Sequence, residues 1–177
     1  FSMFLSNAIN YVLHNRELSE LNQNLSKAYE DIAVLSNQDA LTGLCNRRGF
    51  YQEYKQLCLE TDAPYLVVLS VDMNRLKYIN DNYGHEEGDK VIIESANILI
   101  KNQLENSEIV RTDGNEFLIY LVAYDEKQIV TYIRKLTKEL KEISHGFGAA
   151  IGYSMINDGI KTIDDAINEA TLDMRNN

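Results

Sequence analysis

The sequence predicts an α/β sandwich of ferredoxin-like βαββαβ order, preceded by a long N-terminal coiled-coil helix, and three observations carry that expectation. From Phe1 to about Asn37 there is no proline or glycine, and leucines recur at coiled-coil spacing. Beyond Pro64, short apolar runs rich in β-branched residues alternate with stretches of helical period. Two of those runs meet at Asp113 and Gly114, and an Asp-Gly pair between β-rich segments is a strong hairpin signal because both central residues of a type I′ turn need positive φ. One hairpin and two right-handed crossovers onto a single sheet give the βαββαβ sandwich, with the first strand beside the hairpin.

In chain order, Leu18, Leu21, Leu25, Ala28, Ile32 and Leu35 recur at alternating spacings of three and four. Extended backward, the frame takes in His14, Tyr11, Asn7 and Phe4, so the seam becomes more polar and aromatic toward its start. Its period predicts a left-handed two-helix coil over residues 1–38, most simply a parallel homodimer; the alternative is one amphipathic helix folded back on its own domain. Asn37 to Gly49, NQDALTGLCNRRG, breaks the composition with turn residues and marks the start of a domain over residues 39–177. Asn46 is placed to cap a helix running to about Glu60. Tyr65 to Val71 is a strand buried on both faces, with Asp72 at its end. Asn74–Asn82 reads as a short helix and Glu86 to about Gln103 as a longer one. The polar residues that span their junction, Asn80, Asp81, Gly84, His85, Gly88 and Asp89, read as a binding loop or, equally, as a solvated turn with two helix caps. Ser107–Thr112 and Glu116–Val122 are strands, Glu126–Ile143 an amphipathic helix, Phe147–Ile156 a strand, and Ile163 to about Met174 a last helix.

Composition bounds the function. A formal charge of -10 argues against nucleic acid or an anionic membrane as partner, since both need a basic footprint. A free nucleotide remains compatible, because a bound cation can neutralise its phosphates locally. Cys45 and Cys58 have neither metal-ligand nor redox spacing and read as plain intracellular thiols. No apolar run reaches the roughly 18 residues of a membrane span, so this segment is expected in the cytoplasm without direct membrane contact, whatever anchors the full-length protein.

The chemistry concentrates at Asp72. A carboxylate at the end of a central strand lies at a sheet rim where α/β proteins bind ligands, and a hard cation such as Mg²⁺ needs such a carboxylate together with carbonyls, water and phosphates. The predicted topology sets Asp72 and the turn from Asp113 to Glu116 side by side, so two acidic segments far apart in sequence become one site.

These residues resemble the GGDEF domain of diguanylate cyclases, whose fold is of the nucleotidyl cyclase and polymerase palm type. The resemblance covers about Asp39 to Arg175 and rests on DALTGLCNRRGF at 39–50, VDMNRLKYINDNYGHEEGD at 71–89, RTDGNEF at 111–117 where the signature belongs, and AAIGYSM at 149–155. It implies two GTP molecules, one in each of two facing domains, joined into cyclic di-GMP with Mg²⁺ or Mn²⁺ assistance. It also implies that the heptad helix relays a signal from an upstream sensor domain. By this resemblance Asp72 and the Met73 carbonyl match metal ligands and Lys77 a phosphate-contacting lysine. Asn80 and Asp89 match the pair that reads guanine, and a carboxylate can accept from guanine N1-H and the 2-amino group where adenine offers no such donor pair. Glu116 matches the acidic fourth position of the signature, as both metal and catalytic group. Gly114 matches its second glycine, and Arg175 an arginine that closes over phosphates.

Three positions depart from the family pattern. Asp113 replaces the first glycine of the signature, Asn115 its third-position carboxylate, and Thr171 a phosphate-binding lysine. Asn115 keeps the shape of Asp without its charge, and one unit charge about 4 Å away is worth roughly 4 kcal/mol at an effective dielectric near ~20. That corresponds to about three decades of rate. The product-feedback motif Arg-x-x-Asp is replaced by LENS at 104–107. The expectation is a degenerate, weakly active or inactive GTP-binding signalling domain; the alternatives are an active diguanylate cyclase and a purely structural dimerisation module.

Overall fold

The computed structural model describes residues 2–52, 66–156 and 162–176, except the side chains of 33–36. It divides into two compact units, Phe1–Ser36 and Asn37–Asn177. The first is nearly all one helix, α1 (Ser2–Asn37). Its seam residues Leu18, Leu21, Leu25 and Ile32 are 46%, 62%, 53% and 61% exposed, so nothing within this unit covers the stripe that the heptads create. Leu35 lies outside the described side chains. No helix among the described residues is long and apolar enough to cross a membrane.

The second unit is built on five strands: β1 (Cys45–Asn46), β2 (Leu66–Met73), β3 (Ser107–Asp113), β4 (Glu116–Val122) and β5 (Ala149–Ile156). Their order is β1-β3-β4-β2-β5, antiparallel except where β1 runs parallel to β3. The last four strands have the order and directions of the βαββαβ sandwich. The added edge strand β1 pairs Cys45 with Val110 and Asn46 with Arg111, a short strand inside what the sequence presents as a turn. Asn46 does cap the following helix, its Oδ1 accepting from Gly49 N at 2.9 Å; residues 47–52 are helical, and the rest of that expected helix lies outside the described residues.

Alternation along β2 decides what each face carries. Val67, Leu69, Val71 and Met73 join Phe117, Ile119 and Leu121 of β4 in the larger core, beneath α2 (Leu76–Tyr83), α3 (His85–Lys101) and α4 (Glu126–Lys141). Val68, Leu118 and Tyr120 turn the other way, onto Phe50 and α5 (Ile163–Asn176). By the same alternation Asp72 and Glu116 belong to the α5 face. That helix lies hard against β5: a Cβ built on Gly152 would stand 2.1 Å from Met174 N and 2.3 Å from Ala170 O, so only glycine admits this approach. Close packing here brings the C-terminal turn of α5, with Arg175, over the sheet end that holds Asp72.

Three local expectations are corrected. The polar stretch around Gly84 is not a loop: Asn80 and Asp81 lie in α2, His85, Gly88 and Asp89 in α3, and Gly84 alone separates the helices. Helix α2 begins at Leu76 rather than Asn74, because Asn74 N is taken by Gly148 O and Arg75 adopts the left-handed region at φ 57. The hairpin turn is not a type I′ turn over Asp113 and Gly114. Asp113 pairs with Glu116, which leaves Gly114 and Asn115 as the turn, and neither is among the positive-φ residues. A bulge between Arg111 and Asp113 absorbs the extra residue and moves the turn by one.

Candidate functional site

Strand register brings the two acidic segments together. Asp72 lies directly across from Glu116 on β2 and β4, and Asp113 across from Glu116 on the hairpin. Asp72 and Glu116 are half-buried while Asp113 is exposed. Burial raises the Asp72 carboxyl above its ordinary value, and the neighbouring Glu116 charge raises it further; the Asn115 amide and the Arg175 charge oppose them without cancelling.

Asn115 is held on both sides of its residue. Its carbonyl accepts from Met73 N at 2.9 Å. Its side-chain Nδ2 donates to Asp72 Oδ1 and, at 3.2 Å, to the carbonyl of Met73. The amide is oriented by this chemistry, since the opposite placement would set its oxygen against a carboxylate and a carbonyl. These are two of the three groups, with Glu116, that the family resemblance assigns to a metal ion, and an N–H donor group faces both of them. Among the described residues no cluster of three or more His, Cys, Asp or Glu side chains could hold a metal. A hard cation needs several oxygens with free lone pairs directed at it, and this arrangement does not fit a resident Mg²⁺ or Mn²⁺.

The turn itself is braced from behind. Arg111 donates to both carboxylate oxygens of Asp39, at 3.1 and 3.0 Å, and to Gly114 O at 2.9 Å. Asp39 Oδ2 also accepts from Thr42 N at 2.9 Å and Thr42 Oγ1 at 2.7 Å. Burial tends to raise the Asp39 carboxyl, but the Thr42 hydroxyl and the Arg111 guanidinium outweigh it and hold it below its ordinary value. Asp39 and Arg111 thus tie the opening motif to the signature turn. The sequence shows both residues and nothing that pairs them over 72 positions.

On the helix side, Asn80 is half-buried in α2 and Asp89 exposed in α3. Gly88 gives Asn80 its place: a Cβ there would fall 1.8 Å from Asn80 Oδ1, so the Asn80 side chain lies directly against the Gly88 backbone. Lys77 is exposed in the first turn of α2, four residues past Met73. Arg175 is exposed in the last turn of α5, and Thr171 donates its hydroxyl to Ile167 O within that helix at 2.8 Å. His145 is largely covered, its Nε2 3.1 Å from Glu87 Oε1 and its ring stacked on that of Phe147.

The family profile described as "Diguanylate cyclase, GGDEF domain" matches residues 36–177. This chain belongs to the GGDEF domain family. The chain is 30% identical over 162 residues to the diguanylate cyclase DgcM of Escherichia coli K12, covering 83% of this chain and 39% of DgcM. It is 30% identical over 135 residues to the probable diguanylate cyclase DgcJ of the same organism, covering 73% of this chain and 27% of DgcJ. The chain therefore spans less than half the length of these relatives. The coiled coil and GGDEF domain of DgcB from Caulobacter crescentus, solved with c-di-GMP, shares the fold at TM-score 0.80 and 18% identity over 90% of this chain and 89% of that one. The diguanylate cyclase SiaD of Pseudomonas aeruginosa, solved with its activator SiaC, does so at TM-score 0.73 and 21% identity over 99% and 73%. Both share the fold of this chain, and the coiled coil is named for DgcB.

Proposed function

We propose that this GGDEF domain binds a guanine nucleotide and relays a signal while making little cyclic di-GMP. The carrying observation is the Asn115 amide, which donates to Asp72 and Met73 in the space where the family resemblance sets a cation. Asn80 and Asp89 read the base, with Asp89 accepting from guanine N1-H and the 2-amino group. Lys77 and Arg175 supply positive charge toward phosphate. In the cyclase reaction each 3′-oxygen would form a bond to the partner's α-phosphorus while pyrophosphate leaves. Asn115 is neutral and can take no proton from that hydroxyl, and Thr171 adds no charge to steady the leaving group.

The exposed leucine stripe of α1 supports dimerisation through a parallel coil, and DgcB was solved with a coiled coil attached to its GGDEF domain. Such a helix suits relay from a sensor domain upstream. Incubating the purified dimer with GTP and Mg²⁺ or Mn²⁺ tests the proposal: little or no cyclic di-GMP is expected, and efficient synthesis would overturn it. The reading as an active cyclase draws on the preserved Asp72 and Glu116 pairing and is what that outcome would establish. If neither the native chain nor Asn80→Ala binds GTP, a purely structural dimerisation module remains.

A further inference from the structure

Away from Asp72, the chain gathers arginine at one place. A cleft of about 440 Å³ lies between the entry segment and the signature turn, lined by Arg47, Arg48 and Arg111 together with Asp39, Asp113 and Gly114. Three of the seven arginines in a chain of net charge -10 therefore line one opening. Strand order sets it apart from the acidic pair: the cleft belongs to the ends of β1 and β3, and β1 lies three strand places from β2 and Asp72, about 14 Å across the sheet.

The three arginines are not equivalent. Arg111 is engaged by both oxygens of Asp39 and by Gly114 O, so it forms a fixed wall. Arg47 and Arg48 are exposed, and among the described residues neither forms an ion pair. Arg47 reaches the Tyr51 hydroxyl, which itself donates to Asp164 Oδ1 at 2.7 Å, so no carboxylate neutralises it directly. Backbone geometry puts the two arginines where they are: Asn46 pairs in register with Arg111, and its side chain caps Gly49 N at 2.9 Å. The first turn of a helix does not favour positive charge, because the helix dipole opposes it. Across the cleft, Asp113 turns onto its own loop, its Oδ1 accepting from Gly114 N at 2.8 Å. With Asp39 committed to Arg111, two positive groups are left against one negative group. Guanidinium groups pair bidentately with phosphate oxygens and need no metal to do so, and the volume is within the range of small-ligand sites.

We propose that Arg47 and Arg48, with Arg111 as a fixed wall, form a metal-independent binding site for pyrophosphate or a similar free phosphate oxyanion, distinct from the Asp72 site. The site does not depend on guanine recognition. The phosphate tail of a nucleotide has the same chemistry, and the test separates the two. Calorimetric titration of the native chain with sodium pyrophosphate and with GTP, each in EDTA, is the measurement. Pyrophosphate should bind, and Arg47→Ala and Arg48→Ala should each weaken it about tenfold. Arg48→Lys should recover only part of that loss, since an ammonium group cannot fork. Asp113→Asn keeps the shape of the turn and removes the negative wall, so it should strengthen binding about threefold, a gain that no unfolded variant would give. Asn80→Ala and Lys135→Ala, the latter an exposed lysine of α4 that does not line the cleft, should leave pyrophosphate affinity unchanged. Failure of pyrophosphate to bind, or a loss in Lys135→Ala as large as in Arg48→Ala, would overturn the proposal. So would GTP binding that needs both Arg48 and Asn80 while pyrophosphate alone does not bind, a result that would assign the cleft to a nucleotide tail.

Discussion

The two halves of the site are built from opposite kinds of substitution. On the helix side, Asn80, Gly88 and Asp89 match the family pattern and fit one another, the Asn80 oxygen lying against a glycine that has no side chain to displace it. On the strand side, Asp72 and Glu116 match, but Asp113 adds a negative charge, Thr171 withholds a positive one, and the neutral Asn115 amide faces the ligands of a cation. On the proposed reading, base recognition and phosphate chemistry are separable in this fold. The first needs a few directed hydrogen bonds; the second needs net charge, which a change of one atom type removes.

The sharpest way to break that contrast is to rebuild the strand side. Asp113→Gly combined with Asn115→Asp should raise cyclic di-GMP synthesis by about three decades, the rate equivalent of one unit charge of roughly 4 kcal/mol. Product measured by mass spectrometry at native levels would mean that the lesion extends to Thr171 or to geometry elsewhere. Next in size is the seating of α5, which carries Arg175. Gly152→Ala forces a Cβ into backbone atoms at 2.1 and 2.3 Å, and denaturant unfolding should show a loss of about 3 kcal/mol, while an unchanged midpoint would mean that α5 can move off the sheet freely.

On the helix side, Asn80→Ala should weaken guanine-ligand binding roughly tenfold to a hundredfold, the loss of about 1–3 kcal/mol expected for one buried partner. Gly88→Ala should weaken it less. It should also be non-additive with Asn80→Ala, since both act through the same side chain. Full additivity in that double-mutant cycle would mean that Gly88 does not position Asn80. The smallest effect belongs to the brace. Because the Asp39 carboxyl is held below its ordinary value, it contributes stability above the normal carboxylate range and loses it as pH falls through the lowered value. Asp39→Asn should cost up to about 1 kcal/mol near neutral pH and converge with the native chain in acid, read from denaturation at a series of pH values. A difference that widened in acid would reverse the sign of that argument.

Much of the scaffold was legible in the sequence because it depends on periodicity. The β2, β4 and β5 runs, the α4 stripe and the heptads of α1 are all local patterns, and the βαββαβ order was enough to set Asp72 beside Glu116. What was not legible depends on single non-local contacts. A two-residue strand such as β1 has no period to detect. The bulge after Arg111 moves the turn from Asp113 and Gly114 to Gly114 and Asn115, and nothing in the residue types announces it. The sequence shows that Asn115 lacks a charge. That its amide points at Asp72 and Met73 follows only from the register of two strands whose residues lie more than forty positions apart.

Crystals of the native chain soaked with MnCl₂ and GTP test the role of that amide most directly. Anomalous scattering should show no manganese beside Asp72, with the Asn115 side chain still between Asp72 and the Met73 carbonyl. A manganese peak bonded to both of those oxygens, with the amide turned away, would contradict it.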